Sequence, residues 1–97
     1  MKMTFKDELN QMYTVSHDKI VKELADYILD GLKKRCLEAA NRGNPTAIIR
    51  LEGKYDTAEV ANAVVSFVKF EWKLNANAVV DTDRDDSYRE ITVSGWS

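Results

Sequence analysis

The chain has 97 residues, 44% of them apolar and 31% charged, and a formal net charge of −2. That is enough for one domain with a single modest core and too little for two. No apolar run approaches the roughly 20 residues of a membrane span, and the near-neutral charge argues against indiscriminate attraction to nucleic acid.

Thr4, with Asp7 three residues on, resembles a capping box and predicts a short helix to about Met12. A break is expected near Tyr13–Ser16, so residues 1–15 read as a short helix and connector ahead of a single domain over 16–97. Ser16 then caps a second helix, and Asp18 complements its dipole. From His17 to Asn41, the residues Val21, Leu24, Ala25, Ile28, Leu32, Cys36 and Ala39 recur at helical spacing. Gly43 is a natural left-handed stop and Pro45 prevents resumption.

The stretch Thr46–Glu52 alternates Ala47, Ile49 and Leu51 with Ile48, Arg50 and Glu52, as a half-buried strand does. Asp56 and Glu59 resemble another capping box, opening a helix from Thr57 to about Leu74 that buries Ala61, Val64, Val65, Phe67 and Val68. Asn77–Asp83 and Tyr88–Ser94 then form a hairpin. The order α-α-β-α-β-β predicts an α/β (α+β) two-layer sandwich, a three-stranded sheet with helices on one face. Spatial order 1-3-2 makes every neighbour antiparallel and is the preferred arrangement; 1-2-3 is the alternative.

Cysteine and histidine contribute little chemistry. Cys36 is the one cysteine and falls in a helical apolar pattern, which predicts an inert buried thiol and fits a reducing compartment. The one histidine, His17, stands at the expected helix start, so a zinc site or a Cys–His nucleophile lacks ligands. "NRGNPT" has too few glycines for a phosphate loop. No catalytic residue, metal ligand or cofactor is assigned, and an enzyme, including a small metal-dependent one, is the least favoured class. The start "MKMTFKDELN" lacks the apolar core of a signal peptide, so the cytosol is the expected location.

Charge is distributed unevenly. Lys33, Lys34, Arg35, Arg42 and Arg50 face Glu38 alone, whereas Asp81, Asp83, Asp85, Asp86 and Glu90 outnumber Arg84 and Arg89. Counted from Asp81, acids fill the first, third and fifth positions of a calcium loop, but Asp86 and Thr92 stand where glycine and a bidentate glutamate are required. That motif fails. Three readings of the stretch remain: a looser carboxylate cluster holding a hard cation weakly, a solvated turn blunting the hairpin edge, or a carboxylate row steering toward a basic cleft on another protein. The alternative function is nucleic-acid binding through Lys33, Lys34, Arg42 and Arg50, which a basic footprint would support.

The ending "RCLEAANRG", followed at once by the strand "PTAIIRL", a helix and a hairpin, resembles the layout of small accessory proteins of phages and mobile elements. The resemblance implies a stand-alone binder or inhibitor of a host protein, and it carries over no functional residue. The expected function is therefore a non-enzymatic interaction module acting through Asp81, Asp83, Asp85, Asp86 and Glu90, with another protein as partner and no membrane involvement. Two further expectations concern packing. Phe5, Leu9 and Met12 need cover, from the domain or from a second copy. Arg35 and Glu71, each projected into an apolar stripe, are expected to form an inter-helix ion pair.

Overall fold

The computed structural model describes residues 4–83 and 86–96. Its elements run α1 (Phe5–Asn41), β1 (Thr46–Arg50), a short 3-10 turn (Gly53–Tyr55), α2 (Ala58–Phe70), β2 (Asn75–Asp83) and β3 (Asp86–Ser94). The strands form one antiparallel sheet in the order β1-β3-β2, the preferred of the two arrangements. Both helices lie on one face of that sheet.

The two helices expected before β1 are one. No break occurs at Tyr13–Ser16, and Ser16 sits in mid-helix rather than at a cap. The residues there have only middling helix propensity, at a cost of a few tenths of a kcal/mol each, and include neither glycine nor proline. Thr14 turns its hydroxyl onto the Asn10 carbonyl at 2.9 Å and stays within the helical ladder. The capping box at the start is present: the Asp7 amide donates to Thr4 Oγ1 and the Thr4 amide to the Asp7 carboxylate, each at 3.2 Å. At the far end Gly43, at φ 78°, forms a Schellman stop. The Asn44 amide donates to Ala39 O and the Gly43 amide to Ala40 O.

The cap of α2 differs from the expected one. Thr57, not Asp56, accepts the Val60 amide at 3.2 Å. The helix also stops at Phe70, short of Leu74. Lys73 takes a left-handed conformation at φ 57°, and the Leu74 amide donates back to Val68 O. That reversal turns Trp72 and Leu74 onto the edge of the core.

The core is a single cluster. Ile28, Leu29 and Leu32 from α1 and Val60, Val64 and Val68 from α2 close over Ile49, Ile91 and Val93 of the sheet, with Leu51 just beyond β1. Cross-strand partners share a face, so Ala47–Val93–Ala76 and Ile49–Ile91–Ala78 form two rows beneath the helices. The opposite face carries Ile48–Thr92–Asn77 and Arg50–Glu90–Val79 and has no covering layer among the described residues.

Arg35 and Glu71 do not pair. Among the described residues the arginine–carboxylate pairs are Arg50–Glu52 and Arg89–Asp56, and His17 contacts Glu59. Helical projection locates Arg35 by angle but not by neighbour: it lies over the β1 flank with Thr46, Ala47 and Ile48. The flank facing Trp72 carries Lys33, Cys36, Leu37 and Ala40 instead. Arg35 and Glu71 are both exposed.

Two stability outcomes follow. Leu32 is fully buried, so Leu32→Ala should cost about 2–5 kcal/mol in chemical denaturation. Arg35→Ala and Glu71→Ala should combine additively to within about 0.5 kcal/mol in a double-mutant cycle.

Candidate functional site

The hairpin outruns the rest of the sheet. Pairing of β1 with β3 ends at Arg50 opposite Glu90, extended by one bond from the Leu51 amide to Arg89 O at 2.8 Å. Pairing of β2 with β3 continues through Asp81–Tyr88 and Thr82–Ser87 to Asp83–Asp86. Three residues of each strand thus project past the body, roughly 10 Å at about 3.3 Å per residue. Val80 lies on the helix side of β2 yet is 64% exposed, because the helical layer stops short of it.

The base of this projection is anchored. Asp56, in the link between the 3-10 turn and α2, accepts both the Arg89 backbone amide at 3.2 Å and the Arg89 guanidinium at 3.0 Å. The guanidinium also donates to the Asp56 carbonyl at 3.2 Å. Asp56 is therefore released from the capping role its spacing with Glu59 suggested, and it ties the hairpin to the start of α2. The separation of 33 residues in sequence left no local signal for this contact.

On the open face, the Arg50 guanidinium stacks over the Tyr88 ring at 3.6 Å from its centroid. It also approaches Glu52 at 3.7 Å and stands cross-strand from Glu90. Partial burial, then the carboxylates of Asp81 and Glu90, push the Tyr88 phenol above its ordinary pKa, and Arg50 opposes them. Glu90 is half-buried in this group, so it belongs to the flank of the hairpin rather than to its tip.

Asp81 is exposed, and its carboxylate accepts the Thr82 amide at 2.8 Å. The backbones of Asp83 and Asp86 pair across the strands; Asp85 lies outside the described residues. Asp81 is thus an outward carboxylate on the hairpin, and Glu90 is an inner one on its flank.

The basic residues are not gathered together. Lys33 and Lys34 lie exposed on α1 and Arg42 caps its C-terminus, whereas Arg50 points from the far face of the sheet, across the full thickness of the sandwich. Cys36 is partly buried at an open groove of about 420 Å³ with Leu37, Trp72 and Trp96, and burial pushes its thiol pKa up. Among the described residues, no three His, Cys, Asp or Glu side chains stand close enough to hold a metal ion. No described helix is long and apolar enough to cross a membrane.

No protein-family model, curated protein or solved structure matches this chain.

Asp56→Ala should loosen the hairpin base and leave two Arg89 donors without their partner. The expected loss is about 1–2 kcal/mol in urea unfolding, at the modest end for charge-assisted bonds because both side chains keep some contact with water.

Proposed function

We propose that this protein is a non-enzymatic interaction module that engages a basic surface on another protein through the projecting acidic hairpin. The observation that carries the reading is the capture of Arg89 by Asp56 at 3.0 Å. Of the two arginines in the stretch, that one is turned back toward α2 and neutralised. Glu90 stands cross-strand from Arg50, half-buried on the flank. Beyond them Asp81, Asp83, Asp85 and Asp86 stand against Arg84 alone, four carboxylates to one guanidinium and a formal −3. Charge concentrated on a projection accelerates encounter with an oppositely charged cleft and discriminates against acidic partners. A small binder or inhibitor of a larger protein is the kind of molecule that uses such a projection.

The decisive experiment compares affinity capture from the source cell by wild type and by the Asp81→Lys, Asp83→Lys, Asp86→Lys triple variant. The variant should keep the wild-type melting temperature to within a few degrees, because these positions lie on the part of the hairpin that extends past the pairing with β1. A specific protein partner should be lost from it, with an association rate at least about tenfold lower at low salt. Recovery of nucleic acid, released by changing Lys33 and Lys34 rather than the hairpin, would reverse the assignment.

A further inference from the structure

The first third of α1 reaches beyond the body of the protein. Every residue from 4 to 16 is exposed, and the hydrogen bonds described there are local to the helix. The first polar contact from α1 to another element is His17 with Glu59, at 3.2 Å. A free helical segment of this length is marginal in water. This one is also apolar along one side: Phe5 is 73% exposed, Leu9 52%, Met12 69% and Ile20 54%.

Phase decides what can cover these residues. Phe5, Leu9, Met12, Ser16 and Ile20 recur at three- and four-residue steps and so form one stripe. Val21, Ala25, Ile28 and Leu32 form the stripe that packs on the domain. At 3.6 residues per turn the two stripes lie on roughly opposite sides of α1. Only a break in the helix would bring the first stripe round to the core, and the helix is continuous. The domain cannot cover it.

We propose that this stripe is the interface of a homodimer in which two α1 arms pair antiparallel about a two-fold axis near Met12. The stripe is close to self-complementary about that point: Phe5 meets the copy's Ile20, and Leu9 meets the small Ser16. The charges beside it are self-complementary too. Glu8 and Lys19 flank the stripe on the same side with opposite signs, eleven positions apart. Within one chain they are about 16 Å apart and cannot touch. Across the two-fold each faces the other's counterpart, forming the pair twice. Burying Phe5, Leu9, Met12 and Ile20 of each copy, with Tyr13 at the edge, removes roughly 500 Å² from water on each arm. The total of roughly 1,000 Å² reaches the lower bound for a specific interface. The stripe faces away from the sheet, so pairing leaves the hairpins uncovered.

The test is sedimentation equilibrium of the full chain over a wide concentration range, with circular dichroism to verify folding of each variant. Wild type should dimerise reversibly. Leu9→Glu with Met12→Glu should weaken the dimer more than about a hundredfold while keeping a cooperative melt, because neither side chain touches the core. Glu8→Lys and Lys19→Glu should each weaken it several-fold, and the two together should restore it. Wild type that stays monomeric at several hundred micromolar would overturn the proposal. So would a dimer indifferent to the Leu9 and Met12 changes, or a Glu8/Lys19 double variant no tighter than the singles.

Discussion

Two helices can cover one face of a narrow sheet, and the whole molecule follows from that restriction. Leu32, Val64, Ile91 and Val93 are fully buried because α1 and α2 close over β3, the central strand. The cover is only as long as α2. With 13 residues, α2 spans roughly 20 Å, whereas the 37 residues of α1 extend about 55 Å. The long axis of the molecule, 59 Å, is essentially the length of α1. Whatever extends past α2 has no opposite layer and must present its side chains to solvent or to a partner.

The two overhangs leave the domain at the same end. β1 runs antiparallel to α1, so its last residue, Arg50, lies toward the start of that helix. There the chain turns through Gly53–Tyr55 into α2, His17 reaches Glu59, and Asp56 holds Arg89 at the base of the hairpin. The apolar arm and the acidic hairpin therefore project in the same direction from one anchoring cluster. They do so on different sides, because the apolar stripe of the arm faces away from the sheet to which the hairpin belongs.

Much of this was legible in the sequence because it is encoded locally. The alternation in Thr46–Glu52, the capping box at Thr4 and the stop at Gly43 each depend on residues within a turn or two of one another. Strand order 1-3-2 followed because it made all pairs antiparallel. The failures share a cause. Whether α1 breaks at Tyr13–Ser16 depends on small propensity differences in a stretch that holds neither glycine nor proline. Asp56 fitted a cap by spacing, but its partner lies on a distant strand, and Thr57 took the cap. Arg35 and Glu71 were placed at the correct end of their helices, yet angle alone could not tell which flank of α1 faces α2. The acidic stretch was found from composition, but the anchoring of its base required the Arg89–Asp56 contact.

The geometry also connects the two surfaces energetically. An antiparallel pair of arms would carry two bodies at opposite ends, each with its hairpin uncovered. A partner presenting two basic sites at a matching distance would then meet the second hairpin as an intramolecular event. The gain in avidity from such linkage is commonly about 10²–10⁴-fold without any new contact. A carboxylate row whose individual contacts are weak and screened by salt is the kind of surface for which this gain matters most. The rigidity of a continuous α1 would hold the two hairpins at a fixed separation, so avidity would reward only partners of the right spacing. Helix continuity, which the sequence obscured, would in that case set selectivity as well as shape.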